Sequence, residues 1–490
     1  MKIIGSFTQQ VFLAFALLIY GCKSQQPTTP SSADSKINID SVAISNAASE
    51  TSTTKKAVDY VVEKTKPILS LKNFAMQKDV ENALNKSEIF SSHFTGFSLF
   101  DISKDEFIVH YNDDKYFTPA SNVKILTLYA TLRSFGRKLP GMMYRETNDT
   151  LYLRPTGDPT LLHQYFSSQP VLDKIRSTRK PISIEWPSTD IDPFGIGWMW
   201  DDYSYSFQPE LSWMPIYGNV VHFEYDKTNI TAIPALFNEL VNVRKGKGES
   251  NTIKRSPNYN YFNADIRYRN WAFEKNVPFK YSKALTIRLL RDAVQIPVNI
   301  IPERQLKMDT LYSQPIDTVL RRMMQESDNF LAEQLLIMSA WKNGFDNTEA
   351  FREYMLAEWL SSIEPIWMDG SGISRYNLIR PLDEVLLLQK LYEEYGWTRI
   401  HNIFAKGGKS GTIKNWYPNR SDPENPNHPI QPYIIAKTGT LSNNHTLSGY
   451  LQTKSGKLLI FSFMNNNYVR ETSEVKEAMQ QLLESIRDSY

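Results

Sequence analysis

The hydrophobic pattern changes character several times along the chain. Residues 11–20 form a short apolar run, followed by Gly21 and Cys22. A run of about ten apolar residues is too short to span a bilayer comfortably and has the length of a signal-peptide core. From 23 to about 75 the chain is rich in Ser, Thr, Ala and Lys and poor in aromatics, the texture of a flexible tether with a short helical pattern near 57–71. Ordered texture begins near Met76, with a helical pattern over 76–86. Two β-prone runs, 96–101 and 106–111, flank the turn 102–105 and predict a hairpin. Val123, Ile125, Leu126, Leu128, Tyr129 and Leu132 have helical spacing, and the region of Gly136 ends that helix.

From about 141 to 309 short aromatic-rich strands alternate with Pro, Asn and Asp turns, and one helix is evident at 282–294. This reads as a β-rich inserted module. Helical texture returns at 317–342, 347–362 and 381–395. Two strong strands begin at Tyr433 and Leu458, and a last helix covers 470–487. The segments are therefore 1–21 (leader), 22–75 (tether), 76–140 and 310–490 (two parts of one domain), and 141–309 (the module).

Composition narrows the functional classes. Hydrophobic residues make up 41% and charged residues 22% of the 490, ordinary for a globular protein with a large core. The net charge of +2 supplies no basic stripe, so neither nucleic acid nor acidic lipid is an expected partner. No other run reaches 18 apolar residues, so no transmembrane helix is expected. The sole cysteine, Cys22, excludes an internal disulfide. With Leu18-Ile19-Tyr20-Gly21 before it, it resembles a bacterial lipobox. That implies export, cleavage before Cys22, and a lipid anchor holding a periplasmic protein to a membrane. The competing reading is a secretory peptide cleaved elsewhere.

Ser121-Asn122-Val123-Lys124 places a hydroxyl and an amine one helical turn apart, on one face. A serine needs a base to become a nucleophile, and a lysine serves once burial or a second cation lowers its pKa. Three other S-x-x-K matches exist. Ser52–Lys55 lies in the tether, Ser177–Lys180 in a polar loop, and Ser473–Lys476 at the last helix, where Ser473 reads as an N-cap. Only Ser121 follows a hairpin and opens an apolar helix, although an N-cap role is open to it too. Ser327-Asp328-Asn329 offers a second hydroxyl and a carboxamide, or else merely a polar helix break. Lys437-Thr438-Gly439-Thr440 follows an apolar strand. Its lysine adds positive potential, its threonine hydroxyl can bind a carboxylate, and its glycine admits a substrate backbone. Lys409-Ser410-Gly411 and Lys454-Ser455-Gly456 are local look-alikes.

Each motif alone is weak. Together and in this order S-x-x-K, S-D-N and K-T-G form the signature of penicillin-binding proteins and class A β-lactamases. Thr156–Leu161, Gly197-Trp198-Met199-Trp200-Asp201-Asp202 and Asp369-Gly370-Ser371-Gly372-Ile373-Ser374-Arg375 extend the match over most of 76–490. The sequence resembles the class C penicillin-binding proteins, the penicillin-binding protein 4 type of D-alanyl-D-alanine carboxypeptidase/endopeptidase (peptidase family S13). The resemblance implies an α+β, penicillin-recognising serine transpeptidase/β-lactamase-like fold, a helical cluster on a five-stranded antiparallel sheet. It also implies a large insertion between the first two motifs, here somewhat short near 225–280.

The resemblance further assigns roles. Ser121 attacks the carbonyl between the two D-alanines of a peptidoglycan stem peptide and Lys124 takes its proton. Ser327 and Asn329 assist and hold the substrate amide. Lys437 and Thr438 bind the terminal carboxylate. The N–H groups of Ser121 and Thr440 form an oxyanion hole beside Gly439. Asp202 and Arg375 contact a diaminopimelate end, unless they form a structural salt bridge or loop cap, and Trp198 and Trp200 read as core. β-Lactams would acylate Ser121. No cofactor and no metal is expected: the seven histidines show no paired spacing, and no P-loop or Rossmann pattern occurs. The rival readings are a β-lactamase or esterase and an inactive wall-binding scaffold.

Overall fold

The computed structural model describes residues 77–246, 250–268, 270–304, 306–419 and 431–490. The apolar leader, Cys22, the tether and the Ser52–Lys55 match lie outside the described residues. The chain divides into units Met1–Thr65 and Lys66–Tyr490, and every described residue belongs to the second. Among the described residues no helix is long and apolar enough to cross a membrane.

The expected hairpin is present as Phe94–Asp101 and Glu106–Tyr111. Its first strand also pairs antiparallel with Leu458–Asn466, from the far end of the sequence. The sheet runs Ala405–Lys406, Ile434–Leu441, Asn444–Gln452, Leu458–Asn466, Phe94–Asp101, Glu106–Tyr111, every neighbour antiparallel. Five strands are long. The sixth is a two-residue edge, cut short where Gly407 and Gly408 turn the chain away, Gly408 at φ +66°. The central strand Asn444–Gln452 was not evident as an apolar run. It is buried on both faces, yet small and polar residues such as Ser448 and Gly449 occupy it.

One face of the sheet is covered by the helices Gln77–Lys86 and Thr472–Ser489, through Val80, Leu84, Val475 and Leu482 against Leu447 and Phe461. The other face carries the helical cluster, where Leu126, Leu128, Leu331, Leu335 and Leu388 pack with Ile435 and Tyr450. Two helices of that cluster, Lys124–Ser134 and Asn329–Lys342, are buried nearly all round. A helix in that position needs no polar face, which explains their continuous apolar texture.

The expected helix 317–342 is two helices, Ile316–Gln325 and Asn329–Lys342, broken at Ser327, whose φ is +59°. The 347–362 helix is Thr348–Tyr354 plus a wider turn, Met355–Trp359. Ser473 is no N-cap: Glu471 holds that position and Ser473 is the helix's second residue. Ser177 lies in the helix Pro170–Thr178 rather than in a loop.

Between Lys138 and Pro315 the chain forms a mixed five-stranded sheet in the order Val298–Ile301, Ile182–Glu185, Leu151–Pro155, Lys138–Glu146, Asp309–Pro315. Two three-stranded sheets join it. One contains Val241–Lys245, Phe262–Ile266 and Thr252–Arg255, the other Phe273–Pro278, Val220–Tyr225 and Ile230–Ile233. Leu153, Ile184, Phe223, Phe262 and Phe279 share one core there. The module reaches the helical cluster through Trp198, Phe207, Gly157 and Ser212.

Candidate active site

Ser121 sits in a tight 3-10 turn, Ala120–Val123, that runs directly into the helix Lys124–Ser134. Neither the turn nor the helix has a side-chain cap, so the N-cap reading of Ser121 does not hold. Instead the Ser121 hydroxyl lies 2.9 Å from Lys124 Nζ. Ala120, just before it, has φ +49°, a left-handed conformation that costs a residue with a Cβ about 1 kcal/mol or more. The surrounding backbone holds it there. The Asp369–Ser374 loop wraps so closely that a Cβ on Gly372, itself at φ +85°, would collide with the Ala120 carbonyl oxygen.

Lys124 is wholly buried and makes three contacts. Besides Ser121 Oγ, its Nζ donates to Asn329 Oδ1 at 2.6 Å and to the Ser371 carbonyl at 2.6 Å. Both of these partners are acceptors only. A neutral amine that donates its two hydrogens to them therefore points its lone pair at the Ser121 hydroxyl, the geometry a general base needs. Burial pushes the Lys124 ammonium down to about 8, against the opposing pull of Asp369, Glu333 and Asp328.

The S-D-N segment is both a helix break and a part of the site. Asp328 caps the second helix by accepting from Leu331 N at 3.1 Å, while Asn329 Nδ2 donates to the Phe207 carbonyl of the module at 3.0 Å. Ser327 Oγ accepts from Lys437 Nζ at 2.9 Å. Lys437 is fully buried on the strand Ile434–Leu441 and also donates to the Thr438 carbonyl at 2.6 Å. Burial, and after it the charge of Lys124, push Lys437 far below the usual lysine range, and Glu384 opposes them. A Cβ on Gly439 would strike the Pro119 carbonyl oxygen, so this strand lies directly against the nucleophile turn. Thr438 Oγ1 meets Thr412 Oγ1 at 2.7 Å, which brings the loop after Lys409-Ser410-Gly411 to the site's border. The exposed Thr440 holds His445 Nδ1 at 2.8 Å.

Three motifs far apart in sequence thus converge on one serine. The family model for D-Ala-D-Ala carboxypeptidase 3 (S13) matches residues 76–487. The chain belongs to this family. It is 24% identical to the D-alanyl-D-alanine carboxypeptidase DacB of Haemophilus influenzae over 444 residues, 81% of this chain and 90% of that one. The crystal structure of penicillin binding protein 4 (dacB) from Haemophilus influenzae superimposes with a TM-score of 0.65 at 22% identity, over 83% of this chain and 98% of that one. A structure of the same protein complexed with a β-lactam gives 0.59 at 19% identity, over 84% and 98%. The S13 chain therefore has the α+β, penicillin-binding fold, and it is a serine-type D-Ala-D-Ala carboxypeptidase by family.

Around the convergent motifs the S13 chain has an organising carboxylate that motif spacing did not single out. Asp369 Oδ1 accepts from Gly372 N and Asn377 Nδ2, both at 2.8 Å, and Oδ2 accepts from Ser374 N at 2.7 Å and Trp198 Nε1 at 2.9 Å. Glu333, one turn into the helix from Asn329, accepts from Gly370 N at 3.0 Å and Ser371 N at 2.7 Å. Burial, then the charge of Asp369, hold Glu333 up at about 7. Together these carboxylates fix the peptide whose carbonyl receives Lys124.

Asp202 and Arg375 come to one region. Burial, then Asp201, raise the Asp202 carboxyl, and Arg375 opposes them; no side-chain bond joins the two. Arg375 is exposed. Trp198 is half-buried as its bond to Asp369 requires, but the core reading of Trp200 does not hold: it is 83% exposed.

Gly372→Ala tests the packing of the turn. A methyl group there must displace the Ala120 carbonyl and adopt a left-handed φ. The expected cost is about 2 kcal/mol or more in thermal unfolding, with a larger fractional loss of D-Ala-D-Ala hydrolysis than of folded protein. Unchanged stability and activity would refute the buttress.

Proposed function

We propose that this chain hydrolyses the D-Ala-D-Ala terminus of peptidoglycan stem peptides through an acyl-enzyme on Ser121. The observation that carries this reading is the buried Lys124 amine, tied to Asn329 and Ser371 and facing the Ser121 hydroxyl. Ser121 Oγ adds to the carbonyl between the two D-alanines as its proton passes to Lys124. The tetrahedral oxyanion accepts hydrogen bonds from the Ser121 and Thr440 N–H groups. Its collapse breaks the peptide bond. The leaving amine takes the proton that Lys124 accepted, relayed through Ser327, the hydroxyl that also accepts from Lys437, and Lys124 is neutral again. Asn329 holds the substrate amide, and Lys437 with Thr438 binds the terminal carboxylate beside Gly439. Water then hydrolyses the ester, with Lys124 again accepting the proton.

An endopeptidase activity follows from the same steps when a cross-linked residue replaces the free D-alanine. A β-lactam opens on Ser121 in the same way and blocks water. Asp202, in the 3-10 turn Trp200–Ser204, and Arg375, whose charge reaches it, suit the ammonium and carboxylate of a diaminopimelate side chain. Cys22 carries a lipid that anchors the exported chain to a membrane on the periplasmic side; incorporation of labelled palmitate, lost in Cys22→Ser, is its test.

Labelled penicillin should yield one adduct on Ser121, absent in Ser121→Ala. No adduct on folded protein would end the acyl-enzyme reading. The acylation rate should rise with pH through a midpoint of about 8, because Lys124 must lose its proton to act and burial sets that loss there.

Digestion of purified peptidoglycan, with mass analysis of the fragments, separates release of D-alanine from cleavage of cross-links. Arg375→Ala should lower kcat/KM about tenfold for stems carrying diaminopimelate and leave those carrying lysine nearly unchanged. Equal losses on both would remove the diaminopimelate contact.

A further inference from the structure

Asn122 stands inside the nucleophile motif, between Ser121 and Lys124, yet its side chain faces away from both. It is 1% exposed, and Nδ2 donates to Glu384 Oε2 at 3.0 Å and to Ser448 Oγ at 2.8 Å. Glu384, on the helix Pro381–Tyr395, is wholly buried and also receives Ser462 Oγ at 3.5 Å. Ser448 Oγ donates to Ser462 Oγ at 2.9 Å.

These groups lie where the sheet register puts them. Ser448 is directly opposite Lys437 on the neighbouring strand, Ser462 is opposite Ser448, and Ser98 is opposite Ser462. The four side chains form one polar row across the face that the helical cluster covers. Glu384 hangs over that row from the cluster. One oxygen of the carboxylate, Oε1, and the Asn122 Oδ1 are buried with no protein hydrogen-bond partner. A buried carboxyl with one oxygen unpartnered costs stability, so its position calls for a reason.

We propose that Glu384 is a positioning residue for the Ser121 acyl-transfer site: through Asn122 it fixes the turn that carries Ser121 and Lys124, and its charge is the negative partner of Lys437. The proposal rests on the roles given above to Ser121, Lys124 and Lys437. Lys124 and Lys437 repel one another, so the pair titrates as a unit, and the active form has one proton. In the mechanism proposed above that proton belongs on Lys437, which binds the substrate carboxylate, and Lys124 is the neutral base; burial and the charge of Lys124 act against that order, and Glu384 is the carboxylate that favours it. Asp369, Glu333 and Asp328 face Lys124, whereas Glu384 is the carboxylate that opposes the loss of the Lys437 proton.

The charged groups around Glu384 are Lys437 from the strand, and Asp383 from its own helix. Asp383 is paired with Arg380 at 2.7 Å. Further along the row, Ser98 donates to Asp113 at 3.0 Å, and Asp113 meets His110 at 2.7 Å. Burial, and then the carboxylate of Asp383, hold Glu384 up at about 7, while Ser448, Asn122 and Ser462 oppose them. Below about pH 7 Glu384 is protonated, and Glu384→Gln copies its charge. Above that pH the variant lacks a negative charge that the protein has. Lys437 then loses its proton at lower pH, so the alkaline limb of activity moves down and the acid limb stays.

The test is the pH profile of Ser121 acylation by labelled penicillin in the full chain. Glu384→Gln should give the full adduct, with the alkaline limb about one pH unit lower, about tenfold slower on that limb, and an unmoved acid limb. Glu384→Asp should restore the limb. Asn122→Ala keeps the carboxylate and removes the link, so acylation should slow about tenfold at every pH with both midpoints unmoved. An alkaline limb in Glu384→Gln that superimposes on the parent's, or a parental rate in Asn122→Ala, would overturn the corresponding half. Absence of an adduct in the parent protein would instead overturn the acyl-enzyme reading itself.

Discussion

The buried amine of Lys124 is the interaction on which the rest of the site depends. It joins three stretches of chain that are remote in sequence: the nucleophile turn, Asn329 after the helix break, and the Ser371 carbonyl. Removing a cation from water is costly, and in many proteins the penalty is met by direct ion pairing. Here no carboxylate oxygen touches Nζ. Asp369 and Glu333 act from behind the 370–372 backbone: Glu333 accepts from the Gly370 and Ser371 N–H groups and Asp369 from Gly372 N–H. Their field offsets part of the desolvation, and their hydrogen bonds aim the carbonyl. A direct salt bridge would hold Lys124 charged, and an apolar pocket would leave it neutral but unaimed. Indirect support gives an amine that releases its proton near neutrality in a fixed orientation.

Two lysines in one buried site raise a second constraint. Like charges in a buried site repel, and the charge of Lys124 pushes Lys437 down, so the two proton losses are separated. The order of loss is set by the surrounding charges. His445, on the neighbouring strand opposite Thr440, cannot help or hinder as a cation, because burial, then Lys476 and Lys437, hold it at about 3. It remains a neutral partner that fixes Thr440.

The Ser121–Lys124 pair was legible in sequence because its geometry is local. One helical turn ties Ser121 to Lys124, and a strand ties Lys437 to Thr438 and Gly439. The order of the three motifs then outweighed the look-alikes. What stayed hidden depends on contacts between remote segments. Ala120 has a left-handed φ without the Gly or Asn that would announce it, because the Asp369–Ser374 loop imposes it. The helix break at Ser327 is marked only by the polar Ser327-Asp328-Asn329, which reads equally as a site motif, and the apolar periodicity on both sides reads as one helix. Glu384 sits among the apolar residues of an ordinary helix, and only the packing of that helix against the Ser121 turn brings it to Asn122. Trp200 has the composition of a core residue, and nothing local in the sequence says that its loop faces outward.

The module's tolerance within so exacting a site also has a physical reason. It leaves the helical cluster at Lys138 and returns at Pro315, and these two residues are paired across adjacent antiparallel strands. Ile316 N, opening the next helix, donates to the Arg137 carbonyl at 3.0 Å. The exit and entry are clamped together, so the chain between them can vary without parting the helices of Lys124 and Asn329. Buried Gln334, two turns beyond the cap, holds Ser212 and Gly157 of the module through its amide. The Phe207 carbonyl and the Trp198 indole then reach Asn329 and Asp369. The module thereby forms a wall of the site through a few polar contacts to residues the chemistry already fixes. The 3-10 turn Trp200–Ser204, with Trp200 facing outward, is part of that module, and among the described residues it makes no hydrogen bond to Ser121 or Lys124.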